Sequence, residues 1–146
     1  MKLLTLLLFF SVLPAAISWE PDFDNAKKTA KEHHRLILLN FSGSDWCGPC
    51  ILTRRDYLDN EGFAQMAGEN LVLVNADFPR KKKNIPSVEQ VKRNEALAEI
   101  YNKEGSFPLT LLLDAQGKII KTWKGKPEGS PEQWTAEIKS ICDSRK

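Results

Sequence analysis

The segment Leu36-Ile-Leu-Leu-Asn-Phe41 is almost continuously apolar and shows no alternation. A strand with one wet face alternates polar and apolar residues, so a strand without a polar face must be covered on both sides. Leu71-Val-Leu-Val-Asn-Ala-Asp77 repeats the pattern. Two such strands need helices on both faces of their sheet, and the flanking sequence supplies them. Asp22 to His34 carries Phe23, Ala26 and Ala30 at helical spacing, with Asp22 placed to cap. Further helices are expected from about Cys50 to Leu58, from Glu61 to Ala67, and from the capping-box spacing Ser87-Val-Glu-Gln90 to Tyr101. Leu109 to Leu113 reads as a strand, Asp114-Ala-Gln-Gly117 as a turn, and Lys118 to Trp123 as the return strand of a hairpin. Ser130-Pro131-Glu-Gln133 combines an N-cap, a Pro at the first helical position and a capping box. It opens a last helix to about Asp143, with Trp134, Ile138 and Ile141 or Cys142 on the inner face. The order α-β-α-β-α-β-β-α predicts an α/β fold, a central mixed β-sheet flanked by helices. Early strands linked by helices imply parallel pairs, and the hairpin adds an antiparallel edge.

A chain of 146 residues suits one domain. Met1-Lys2 precedes an apolar run from Leu3 to Ile17 that closes with Ala16-Ile17-Ser18. One positive charge, a short apolar stretch and small residues at the −3 and −1 positions match a secretory signal peptide, residues 1–18, cleaved after Ser18. The run is shorter than the roughly 20 residues of a membrane-spanning helix, although an uncleaved anchor is the competing reading. The expected mature domain is therefore 19–146, working in an oxidising compartment where free thiols need a supply of electrons. Twenty-one basic and 19 acidic residues are too evenly matched for wholesale nucleic-acid binding. Three cysteines exclude a disulfide scaffold and permit at most one intramolecular pair.

Trp46-Cys47-Gly48-Pro49-Cys50 sits where the first buried strand passes into a helix. Cysteines at this spacing can close a small disulfide ring. The helix dipole and its unpaired N–H groups favour a thiolate at Cys47. Cys50, one turn inside, is placed to attack a mixed disulfide formed by Cys47. Zinc would need four ligands, and beyond this pair only Cys142, His33 and His34 are candidates. A purely structural disulfide is the other alternative. Cys142 reads as a buried, unreactive thiol, with an intermolecular disulfide as the minority view. His33-His34 reads as a solvated helix end, and Arg80-Lys81-Lys82-Lys83 as a solvated loop in preference to a docking patch. Trp123 and Trp134 read as packing residues, whereas Trp46 is expected to contact substrate.

WCGPC after an apolar strand, Phe107-Pro108 ahead of a later strand, then a hairpin and a terminal helix, together resemble the thioredoxin family. The resemblance runs from about Asp22 over nearly all the mature chain. The stretches Phe41-Ser-Gly-Ser-Asp-Trp46 and Asp77-Phe-Pro-Arg-Lys-Lys are most similar to exported single-domain bacterial thioredoxin-like proteins. The resemblance implies a thioredoxin fold and a thiol–disulfide oxidoreductase that reduces protein disulfides through Cys47 and Cys50. It implies Trp46, Gly48 and Pro49 as the rest of the active-site motif. It further implies a cis Pro108 facing the disulfide, with the backbone of Phe107 free to pair with an extended substrate. No metal and no cofactor beyond the redox-active disulfide is implied. The implied setting is the bacterial periplasm, with a monomer taking electrons from a membrane thiol reductase of the DsbD type and binding no nucleic acid. A disulfide oxidase or isomerase, or a peptide-binding module with little turnover, are the alternatives.

The sequence departs from the family in three ways. The buried Asp that accepts the resolving cysteine's proton is replaced by Asn40, with one additional residue before the motif. The Lys that faces this Asp corresponds to Leu73. Pro108 is followed by Leu109 and only then Thr110, where Pro-Thr is commoner. The proton from Cys50 is then expected to pass to water or to another group such as Asp45 or Asp77.

Overall fold

The computed structural model describes residues 17–146. The cleavage site expected after Ser18 falls at the edge of this range, and the apolar run that precedes it lies outside the described residues. The elements in chain order are α1 (Phe23–Glu32), β1 (Leu36–Ser42), α2 (Gly48–Thr53), α3 (Glu61–Asn70), β2 (Leu71–Asp77), α4 (Val88–Tyr101), β3 (Leu109–Leu113), β4 (Ile119–Lys124) and α5 (Pro131–Asp143). A π-helical turn, Arg54–Leu58, continues α2, and a 3-10 turn, Lys82–Asn84, lies between β2 and α4.

The sheet order is β2-β1-β3-β4. β1 runs parallel to β2, from Leu36 opposite Leu71 to Ser42 opposite Asp77. It runs antiparallel to β3, from Ile37 opposite Leu113 to Phe41 opposite Leu109. The parallel relation expected of the early strands therefore holds for β1 and β2 and not for β3. The segment after α4 carries the chain back to the end of the sheet where β1 finishes, so β3 enters beside Phe41 and runs the other way. β3 and β4 form the expected antiparallel hairpin.

Alternation along the strands splits the interior into two layers. Ile37, Leu39, Phe41, Val72, Val74, Ala76, Leu109, Leu111 and Leu113 pack against Ala26, Ala30 and Leu97 of α1 and α4. Leu38, Leu71, Leu73 and Leu112 pack against the other face, with Tyr57, Phe63, Met66, Trp134, Ile138 and Cys142. Both faces of β1 and β2 are covered, as their unbroken apolar runs require. Trp134 anchors the second layer, stacked on Phe63 with centroids 5.5 Å apart and meeting Tyr57 and Trp123 edge-on.

The expected caps form, with one difference. Asp22 accepts the N–H groups of Asp24 and Asn25, and Ser130 and Gln133 make the full reciprocal box. Ser87 accepts the N–H of Gln90, but the Gln90 side chain turns to Asn94 and the Pro21 carbonyl instead of closing the box. α3 runs three residues past Ala67, to Asn70. The helix after the cysteines widens into the π turn beyond Thr53, which brings the sequence neighbours Tyr57 and Leu58 both into the core. Upstream of α1, Trp19 makes a parallel bridge to Leu73, and Glu20 N–H donates to the Leu73 carbonyl at 2.8 Å.

Candidate active site

Three loops meet where β1 and β2 end and β3 begins: residues 43–47, 78–84 and 102–108. The first turns back at Gly43, whose carbonyl accepts the N–H groups of Trp46 (3.2 Å) and Cys47 (2.9 Å). This fold of the loop lays the Trp46 indole directly over Gly43. A Cβ there would sit 2.3 Å from the indole, so the position admits only glycine without movement. Gly43→Ala is expected to cost about 1–3 kcal/mol by overpacking. An unchanged urea midpoint would show instead that the loop accommodates the methyl group.

Trp46 is also the hub that joins the three loops. Its Nε1–H donates to the Phe78 carbonyl at 2.7 Å, its ring meets Phe107 edge-on at 5.5 Å, and the Arg80 guanidinium lies over it at 3.9 Å. Phe78 in turn meets Phe107 edge-on at 5.6 Å. Two carboxylates tie the first loop to the end of β2 and to the second loop. Asp77 accepts the Ser44 N–H at 2.9 Å and the Ser44 hydroxyl. Asp45 accepts the backbone N–H groups of Arg80 and Lys81 and the Asn84 amide, each at 2.9 Å. These bonds, the Arg80 N–H first, hold the Asp45 carboxyl below its ordinary range. The two acids named as candidate bases for Cys50 are thus spent on loop structure, a role the sequence did not announce. The third loop is shaped by Asn102, which accepts from Ser106 N–H (2.8 Å) and donates to the Ser106 carbonyl (2.9 Å). A buried Asn at a helix end carries no distinctive sequence signal, and sequence reasoning passes over Asn102.

Cys47 occupies the N-cap of α2, and the Cys50 N–H donates to its sulfur at 3.3 Å. The two are joined in a disulfide with Cα atoms 5.2 Å apart. Cys47 is 6% exposed and Cys50 2%, the order expected of an outer and an inner sulfur. Gly48 and Pro49 are exposed, and Ile51 and Leu52 beyond them are also open, giving the pair a small, apolar rim. The Phe107–Pro108 bond is cis, as the resemblance implied. Pro108 is buried and Phe107 half-buried against Trp46. The Pro108 carbonyl accepts the Gly125 N–H, whereas among the described residues the backbone of Phe107 has no partner.

Asn40 lies on the sheet face that packs against the π turn and α5. Its Nδ2 donates to Asn75 Oδ1 at 2.8 Å, and its Oδ1 accepts the Thr110 hydroxyl at 3.1 Å. Strand register makes this trio: Asn40 is opposite Asn75 on β2 and opposite Thr110 on β3. The residue facing Asn40 is therefore Asn75 and not Leu73, which lies opposite Leu38 and packs in the second layer. Thr110, displaced from the usual Pro-Thr pattern, is the residue that satisfies Asn40. Asn75 also lines a cleft of about 370 Å³ with Trp19, Arg54, Asp77 and Gln90.

The remaining candidates lie away from this site. Cys142 is a free thiol buried in the second layer, and burial pushes its pKa up to about 11. His33 and His34 are exposed at the end of α1. Among the described residues no group of His, Cys, Asp or Glu side chains is placed to hold a metal ion.

Residues 18–115 match the model of the Thioredoxin-like family. The chain is 33% identical over 134 residues to the disulfide bond reductase DsbH of Chlamydia pneumoniae, covering 92% of this chain and 78% of that protein. It is 28% identical over 105 residues to the thioredoxin-related protein DsbJ of the same organism, covering 72% of this chain and 29% of that protein. A solved DsbH oxidoreductase superposes with a TM-score of 0.79 at 34% identity, over 90% of this chain and 88% of that one. A thioredoxin from Thermus thermophilus shares the fold, with a TM-score of 0.64 at 15% identity over 88% of each chain. With Cys47 at the cap of α2 paired to Cys50 and a cis proline closing the neighbouring loop, the chain belongs to the thioredoxin-like family and is a thiol–disulfide oxidoreductase.

Proposed function

We propose that this oxidoreductase works in the reducing direction on protein disulfides. The observation that carries the dithiol chemistry is the position of the cysteine pair: Cys47 is the outer cysteine, at a helix start, with a backbone N–H directed at its sulfur. In the reduced protein the Cys47 thiolate attacks one sulfur of a target disulfide. A Cys47–substrate bond forms, and the other substrate sulfur leaves as a thiolate. Cys50, as thiolate, then attacks the Cys47 sulfur and displaces the second substrate thiolate. Two electrons have moved to the substrate, and the protein is left with the Cys47–Cys50 disulfide. A dithiol donor must return two electrons before the next cycle.

Substrate recognition is assigned to the rim of the pair. Gly48 and Pro49 form an exposed rim beside the outer cysteine, Trp46 holds the loop, and the unpartnered backbone of Phe107 offers an extended segment a donor and an acceptor, beside the buried Pro108. The 33% identity to a protein named a disulfide bond reductase favours reduction over oxidation or isomerisation. Residues 1–18 serve as an export signal, the mature domain is 19–146, and the working compartment is a bacterial periplasm. There a membrane thiol reductase supplies the electrons to a monomer. No helix of the described residues is long and apolar enough to cross a membrane.

The deciding measurement is the reduction potential of the Cys47/Cys50 pair, equilibrated against dithiothreitol or glutathione. A reductase is expected to lie near thioredoxin, about −270 mV. A value near that of DsbA, about −120 mV, would overturn the reducing direction and support an oxidase.

A further inference from the structure

We propose that the cationic loop Arg80–Lys83 is a docking surface for an acidic protein segment lying next to the disulfide to be exchanged. The inference rests on the oxidoreductase reading and adds a class of partner to it. The sequence alone favours a solvated loop, but the structure pins this loop to the active site. Asp45, two residues before Cys47, takes the backbone N–H groups of Arg80 and Lys81 and the amide of Asn84. The Arg80 guanidinium rests on Trp46, the residue next to Cys47. The 3-10 turn Lys82–Asn84 follows at once, so the backbone beneath Lys81, Lys82 and Lys83 is ordered while their side chains stay exposed.

The charge arrangement is one-sided. The carboxylate that faces the loop, Asp45, is saturated by the loop's own N–H groups and by Asn84. The ion pairs of the described residues all lie elsewhere and engage none of these four cations. Asp45 offsets part of the Lys81 charge; the net positive charge that remains, held beside a redox pair, complements an anionic segment presented together with its disulfide. Such complementarity acts mainly on encounter rate and is screened by salt. A protein segment fits better than an anionic membrane surface, because the loop is coupled to the residues flanking Cys47 and the chain's overall charge is only +2.

The test uses two arms and two variants of the full chain. Lys81→Gln/Lys82→Gln/Lys83→Gln removes the exposed loop charges and leaves the Arg80 stack. Lys31→Gln/Lys103→Gln/Lys118→Gln removes the same charge from exposed positions outside the loop. The first arm measures binding of a peptide with four glutamates flanking serines in place of its cysteines. Affinity is expected to fall about tenfold in the loop variant at low salt, to be unchanged in the control, and to converge at about 0.5 M salt. The second arm measures exchange of the reduced proteins with the disulfide form of that peptide and with a neutral-flanked one. The wild type should react about tenfold faster with the acidic peptide, and the loop variant should lose that preference. Equal affinity of wild type and loop variant, or equal handling of acidic and neutral peptides, would overturn the proposal. So would loop-dependent binding to phosphatidylglycerol vesicles with none to the peptide. Failure of the wild type to exchange with 2-hydroxyethyl disulfide would instead overturn the oxidoreductase reading, with docking still decided by the binding arm.

Discussion

Cys50→Ser is expected to turn the protein from a catalyst into a trap, accumulating mixed disulfides through Cys47, while Cys47→Ser accumulates none. Both variants should fall to the rate of uncatalysed thiol exchange, because each removes one of two successive steps. What separates them is where the reaction stops. Cys47 is the more exposed of the two cysteines, it caps α2, and the Cys50 N–H points at its sulfur. A thiolate there is stabilised by the helix-start donors. Cys50 lies inside the helix behind it, where a bulky disulfide has no approach. With Cys50 replaced, the first exchange still runs and nothing resolves its product. Mass spectrometry after mixing each reduced variant with an oxidised protein substrate reads this directly. Cys142 adds no confusion, since it is buried with its thiol pKa pushed up to about 11 and any adduct maps to a separate peptide. Comparable adduct on Cys50 in the Cys47→Ser protein would reverse the assignment.

The sequence carried the layers of the fold because the relevant physics is local. Nearly continuous apolar runs at Leu36–Phe41 and Leu71–Val74 demand two covered faces, and both faces are filled. The caps at Asp22 and Ser130 follow from side chains that reach their own backbone. Which strand faces which was less legible. Nothing in residues 102–108 says that the chain doubles back before β3, yet that return makes β3 antiparallel and places Thr110 opposite Asn40. Leu73 stood in for Asn75 as the partner of Asn40 for the same reason: pairing depends on register, and register is fixed by strand ends that lie far from residue 40. The cysteine pair was legible as a motif. Its support was not, because Asp45, Asp77 and Asn102 act through hydrogen bonds that shape and join the loops. Nothing local singles out Gly43, and only the structure shows that the Trp46 indole occupies the space of a Cβ there.

Asn40→Asp is expected to destabilise the folded protein by several kcal/mol at neutral pH while speeding release of substrate from Cys47. Asn40 is 4% exposed, between Asn75 and Thr110. An aspartate there could still accept the Thr110 hydroxyl, but it would set negative charge against Asn75 Oδ1 until that amide turned over. Burial disfavours the carboxylate, so the folded-state pKa of the new group rises above its unfolded value of about 3.9. The unfolded chain then releases its proton first as pH rises. Stability is retained near pH 4 and lost as pH climbs toward the folded pKa, by about 1.36 kcal/mol for each pH unit above the unfolded value. From pH 4 to pH 7 that slope amounts to a loss of up to about 4 kcal/mol. Urea titrations at pH 4 and pH 7 measure the difference, and equal losses at both would assign the cost to packing instead of charge. The kinetic gain has a separate origin. A neutral amide is no base, and Asp45 and Asp77 are engaged in loop hydrogen bonds, so in the natural protein the resolving thiol is expected to pass its proton to solvent. Decay of a preformed Cys47 mixed disulfide should therefore steepen between about pH 7 and 9, where thiols ionise. A carboxylate at position 40 would supply an acceptor on the sheet face that packs against the continuation of the cysteine helix, beside Asn75. Stopped-flow decay from pH 6 to 9 should show the variant faster near neutrality and less dependent on pH. A flat profile in the natural protein, or no gain from a folded Asn40→Asp variant, would exclude a proton-limited release.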